Sequence, residues 1–164
     1  MKVITVYQPW ASMLWLAGHP VPEVASLGKH NETRGWSRKY RGPLAIHASK
    51  DRRFLDLARQ EPFRFALSAA GISGPEDLPL GAVIAVCNLV DCVPIVSRLL
   101  VAGKAVLARL QDGRQVEGNE LTFGDYTPGR FAWILADIKP LPKPIPAVGH
   151  QGLWNWEPPE VPHG

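Results

Sequence analysis

The run from Ala82 to Val93 constrains the fold more than any other stretch of this chain. It is almost continuously apolar, where a strand with one wet face would alternate. A strand of this kind is expected to be buried on both faces or to close a barrel. The apolar character continues to Val96, but Asn88, Asp91 and Pro94 interrupt it, and the run is too short to span a bilayer.

The other expected strands are shorter and scattered. Val3 to Val6 reads as one. Pro43 to Ala48 reads as another, with Leu44, Ile46 and Ala48 on one face and Ala45 and His47 on the other, and Phe131 to Ile138 as the last. Asp112-Gly113 marks a tight turn between two modest strands. One helix is predicted over Trp10 to Ala17, opened by Pro9 and closed by Gly18, with Trp10, Met13, Leu14 and Ala17 as its apolar stripe. A second carries Phe63, Ala66, Leu67 and Ala70 before Gly71. The alternating prolines from Pro140 to Pro146 predict an extended tail, 140–164, lying across the surface. Strands outnumber helices without a regular βαβ alternation. That pattern predicts an α+β fold: a small mixed β-barrel with helices packed at its openings. A chain of 164 residues is read as one domain, 1–164, able to bury a core without disulfides or metals.

The N-terminus lacks a basic, then apolar, leader, so no secretory signal is expected. Cys87 and Cys92 are expected to be buried free thiols, and a cytoplasmic protein with no membrane segment and no metal site follows. The net charge of +3 is mild, but its distribution is uneven. Lys29, Arg34, Arg38, Lys39, Arg41, Lys50, Arg52 and Arg53 crowd together, with Glu32 and Asp51 as the only acids among them. Such a block is either a phosphate-contacting surface or a solvated basic face.

Within it, Gly28-Lys29-His30-Asn31-Glu32-Thr33-Arg34-Gly35-Trp36 sets a cation, an anion and a second cation at spacings of three and two. On a strand, the period of two would place Glu32, Arg34 and Trp36 on one face, with Lys29 at its mouth. The alternative is that Glu32 and Arg34 simply pair and pin the strand.

Five blocks give the chain a resemblance to ASCH-domain proteins of the PUA-like superfamily. They are Gln8-Pro9-Trp10-Ala11-Ser12, the Gly-x-Lys-x-x-Glu-x-Arg signature from Gly28 to Arg34, Tyr40 to Lys50, Phe123 to Trp133, and Gly149 to Trp154. Residues 94–118 are read as a variable insert. The resemblance implies a small β-barrel that binds RNA and holds a base in a pocket. It also brings in a branch that hydrolyses N4-acetylcytidine through a lysine, a threonine and a glutamate, and another credited with ribonuclease activity. Lys29 matches the lysine, but Glu32 stands where the threonine would be, and Glu120 is the candidate for the glutamate.

The residue chemistry gives the roles. Glu32, charged between two cations, accepts hydrogen bonds only and suits the exocyclic amine of cytosine or adenine. Lys29 or Arg34 would serve a carbonyl or a phosphate. Trp10, Trp36 or Tyr126 would stack on the base, a contact worth roughly 1–3 kcal/mol. His47 either reaches the pocket as a neutral hydrogen-bonding group or general base, or is a satisfied core histidine. Ser49 is read as a helix cap and Lys50 as a phosphate or substrate contact. Asp125 and Arg130 flank a loop with two glycines that backbone amides could offer to a phosphate, while Asp125 could equally cap a turn. Two functions are consistent with this set. One is a module binding RNA or single-stranded nucleic acid through a nucleobase or nucleotide pocket. The other is a metal-independent hydrolase of a modified nucleoside or of RNA, with Lys29 as base or electrophile and Glu32, His47 or Tyr126 moving protons. Neither requires a cofactor.

Overall fold

The computed structural model describes residues 1–159. The chain is α+β and dominated by strands. Its order is β1 (Lys2–Val6), α1 (Trp10–Ala17), α2 (Pro22–Ala25), β2 (Asn31–Arg34), β3 (Gly42–Ala48), α3 (Phe63–Ala69), β4 (Ala82–Val101), β5 (Lys104–Leu110), β6 (Gln115–Val116), α4 (Gly118–Thr122), β7 (Phe131–Pro146) and β8 (Leu153–Asn155). Two 3₁₀ turns, Leu55–Arg59 and Pro75–Asp77, flank α3.

The main sheet runs β2-β7-β4-β3-β1-β8, with β5 and β6 branching from β4. Among the described residues only β1 and β3 pair in parallel, Ile4 lying opposite Ile46. Among the described residues the ladder does not close: β2 ends it on one side and β8 on the other.

The apolar run is the middle of this sheet, and its continuity has a double cause. Leu44, Ile46, Ala85, Cys87, Trp133 and Leu135 point into the main core, where α1 contributes Ala11 and Leu14. On the opposite face Val3, Ala45 and Val83 are covered by Trp154. Both faces are dry from Ala82 to Ala85, whereas from Val86 to Val90 burial alternates and Val90 is exposed. The strand does not stop near Val93, however. β4 continues to Val101 and returns as β5 through Ala102-Gly103, both at positive φ. This turn escaped sequence reading because alanine seldom takes that conformation. The hairpin at Asp112-Gly113 is present as expected, Arg109 facing Gln115.

Helix α1 occupies the predicted span, but it is buried all round rather than along one stripe. Ala11, Met13, Leu14 and Leu16 are all inaccessible, while Trp10 and Ala17 are only half-buried. Leu14 faces the sheet, whereas Met13 and Leu16 pack on Phe63, Leu67 and Phe123. A helix between two cores has no solvent side to leave polar.

The proline segment 140–146 is extended and largely exposed, and it is also part of the sheet. Residues 140–146 are part of β7 and pair with β4, Pro140 against Ala85 and Pro146 against Ala82. Prolines at alternate positions lose their N–H on one edge only, so the other edge can still hydrogen-bond. Ala147, in step with the intervening residues, donates to the Gly81 carbonyl (3.0 Å). Leu153–Asn155 then adds β8 beside β1. The end of the expected tail, 160–164, lies outside the described residues. No helix among them is long and apolar enough to cross a membrane.

Candidate functional site

Helix α1 and β2 meet at Gly28. A Cβ there would lie 2.5 Å from the Ala17 nitrogen and 2.6 Å from the Met13 carbonyl oxygen. Only glycine lets the chain pass this close, and the Lys29 amide then donates to that same Met13 carbonyl (3.0 Å). The consequence is that Lys29 turns inward and is 1% exposed, not at an open strand mouth. Its Nζ donates to the Phe123 carbonyl (3.1 Å) and to Glu32 Oε2 (3.3 Å). Two of the three ammonium donors are thereby used by the protein.

Glu32 is also buried, its Oε1 accepting from the Thr33 amide (3.2 Å). Arg34 follows on β2, with Nη2 donating to the Thr5 carbonyl (2.7 Å). Arg34 Nε is enclosed yet has no hydrogen-bond partner among the described residues, and Glu32 Oε1 stands 3.8 Å from it. A buried donor left unmatched beside a buried carboxylate is costly, which makes it unusual in a finished core.

The facing wall is the segment after α4. Asp125 donates its amide to Thr33 Oγ1 (2.9 Å), while Arg130 donates Nε to the Asp125 carbonyl (3.1 Å) and Nη2 to the Thr33 carbonyl (3.3 Å). These bonds staple the wall to β2. The Asp125 carboxylate accepts from the Thr127 hydroxyl (2.6 Å) and amide (3.1 Å), closing a turn. Burial works to raise its pKa, but the bonds from Thr127 and the charges of Arg130 and Arg98 prevail and hold it below the usual carboxylate range. Between the walls lies a cleft of about 390 Å³ that brings together Trp10, Lys29, Glu32, Arg34, Asp125 and Arg130.

The remaining predicted residues lie elsewhere. Strand β2 ends at Arg34, so Trp36 leaves its face and packs edge-on against Trp133 (4.9 Å between ring centres). Trp36, His47 and Lys50 line a second cleft of about 500 Å³, closed on one side by the loop Gly149 to Gly152. The His47 ring is fully employed there. Nε2 donates to the Ala147 carbonyl (2.8 Å), and Nδ1 meets the Thr5 hydroxyl (3.2 Å), which accepts from Trp154 Nε1 (3.0 Å). Of the two alternatives for His47, the structure places it as a satisfied core histidine.

Tyr126 is in neither cleft. Its ring fills the core between β5 and β7, its hydroxyl accepts from Asn31 Nδ2 (3.2 Å), and burial pushes the phenol above its ordinary range. Glu120 also points away: its carboxylate clamps the amides of His30 and Asn31, the latter at 2.9 Å, and ties α4 to β2. Ser49 caps a turn through the Asp51 amide (3.1 Å), because no helix starts at Lys50. Cys87 and Cys92 are free thiols; Cys87 is buried and Cys92 partly so, and burial pushes the Cys87 thiol up to about 12. Among the described residues no three His, Cys, Asp or Glu side chains stand together as a metal set.

Tyr7 was missed by sequence reading and lines both clefts. Its only signal was its place between β1 and Gln8-Pro9-Trp10.

The two shifted histidines give opposite pH effects. Burial lowers the His47 pKa below 6.5, with the His150 charge adding to it, so the unfolded chain takes up a proton that the native state refuses. Stability from this group is complete above pH 6.5 and declines as the pH falls below it. His30 is raised by its hydrogen bond and charge interaction with Glu120, so its contribution is complete below pH 6.5 and fades as the pH rises through the higher native value. Thermal melts between pH 5.5 and 8 are expected to show the acid-side decline, and His47→Gln should flatten it. An unchanged profile in that variant would assign the decline to other groups.

No protein-family model matches the chain, and no curated protein matches it either.

Proposed function

We propose that the cleft around Lys29, Glu32 and Arg34 receives a nucleobase, and that the chain is a nucleic-acid-binding module directed to single-stranded RNA. In this reading the sheet is a PUA-like barrel of the ASCH type. The Arg34 guanidinium supports that curvature, because it spans from β2, one end of the ladder, to the Thr5 carbonyl on β1, next to the other end.

The observation that carries the proposal is unused hydrogen-bonding capacity in a row of charges, of which Lys29 and Glu32 are buried and Arg34 half-buried. Arg34 Nε lacks an acceptor, and the Lys29 ammonium has one donor to spare. Glu32 offers acceptors beside them, and Tyr7 and Trp10 supply aromatic walls. A planar group with an amine next to a carbonyl, such as cytosine, matches this alternation. The hydrolytic reading has less support, since His47 is committed on both nitrogens and Tyr126 lies outside the cleft.

The test is fluorescence anisotropy with a labelled single-stranded RNA at 50 to 300 mM salt. Binding at micromolar concentration should weaken as salt rises. Glu32→Gln should cost about tenfold, equivalent to about 1.4 kcal/mol, in a protein whose circular dichroism is unchanged. If neither RNA nor single-stranded DNA binds in a salt-sensitive way, the proposal fails. Turnover of N4-acetylcytidine that disappears in the same variant would replace it with the hydrolase.

A further inference from the structure

The two clefts are not independent. Tyr7 and Arg34 line both, so an aromatic ring and a cation form the partition between them. These are the two groups that a base-phosphate-base run needs at its midpoint. Each cleft falls within the range of about 300–1,000 Å³ that suits a small-molecule site, and the two share the Tyr7 and Arg34 side chains.

The second cleft has the character of a nucleotide site without a base-reading row. Asp51 is neutralised by Arg53 at 2.7 Å, while Lys50 is exposed and makes no ion pair among the described residues. With Arg34 this leaves the cleft cationic. Trp36 offers a ring that already holds the Arg38 guanidinium 4.3 Å from its centre. Arg38 is exposed, so a base can take its place or be sandwiched beneath it. Gly149, without a Cβ, lets its chain come close to His47: a Cβ there would lie 2.6 Å from the ring Cε1. The Thr5 hydroxyl lies 3.3 Å from the His150 carbonyl on the same wall.

Resting on the base-pocket reading above, we infer that the two clefts are successive subsites of one groove. The ligand is then a single-stranded oligonucleotide of at least two residues rather than a free nucleoside. One base enters beside Glu32, the linking phosphodiester lies at Arg34 and Lys50, and the next base reaches Trp36.

The experiment compares cytidine and adenosine 5′-monophosphates with a mixed-sequence RNA hexamer on the full chain by titration calorimetry. The hexamer should bind at least about tenfold more tightly than either monophosphate. Lys50→Ala, at an exposed position, should weaken the hexamer and reduce the slope of log K against log salt by about 0.7. Trp36→Leu, which keeps apolar packing on Trp133, should weaken the hexamer by about 5- to 150-fold. Monophosphates that bind as tightly as the hexamer, or a Lys50→Ala protein that binds the hexamer normally, would overturn the inference. Hexamer binding that needs Lys50 and Trp36 but ignores Glu32→Gln would refute the base pocket and with it the single groove. Binding of neither ligand removes both readings.

Discussion

Replacing Lys29 with methionine is expected to lower stability by about 3–5 kcal/mol, a fall of roughly 6–20 °C in melting temperature. Methionine has nearly the right shape, so the loss is electrostatic and not a matter of volume. Lys29 is 1% exposed and Glu32 is 7% exposed. Removing the ammonium leaves the Glu32 carboxylate with a single guanidinium at 3.8 Å and strips the Phe123 carbonyl of its donor. A buried charge deprived of its partner is expensive even where the intact pair contributes little. The double variant Lys29→Met, Glu32→Gln should therefore recover at least about 1 kcal/mol of the loss, measured by urea denaturation as a double-mutant cycle. A single-variant cost under about 1 kcal/mol would show that water reaches the pair.

Gly28→Ala should be destabilising by about 3 kcal/mol, at the upper end for one added methyl group. The added carbon would meet the Ala17 nitrogen and the Met13 carbonyl oxygen at 2.5 and 2.6 Å. Both are backbone atoms of α1, which is itself wedged between two cores and has no direction in which to retreat. The strain must appear either as lost stability or as a displaced Lys29, whose amide bonds to the same carbonyl. Heteronuclear NMR of the alanine variant should show its largest shifts in Met13 to Ala17 and Lys29 to Arg34. A variant as stable as the parent, with those resonances unmoved, would mean that the approach of β2 to α1 is looser than the distances require.

How much of this was legible in the chain depends on how far apart the interacting residues lie. Lys29 and Glu32 are three residues apart, and their pairing needs only local geometry. The predicted α1 and α3, together with the strands beginning at Lys2 and Gly42, came from periodicity, which is also a local property. The apolar run announced a strand dry on both faces, but not what dried them. The pairing of the proline segment with β4 was not legible because proline argues against a central strand, whereas here the alternate spacing spares the edge that pairs.

Side chains of ambiguous use were decided by distant partners. The same His47 would be a free base if Ala147, one hundred residues on, were not against its ring. Tyr126 would be a stacking group if its ring were not inserted between Val93, Ala108 and Ala132. Lys50 and Trp36 are separated from Lys29 and Glu32 by the Arg34 side chain, a division that no spacing encodes. The sequence by itself therefore determined the strand-rich class, the main local elements and the charged row of Lys29, Glu32 and Arg34, because short-range sterics and period suffice for those. Only the tertiary structure decided which of the polar side chains still have hydrogen-bonding capacity to offer. That capacity is what remains after every long-range contact has been made, and it is set by the packing of the whole sheet against α1.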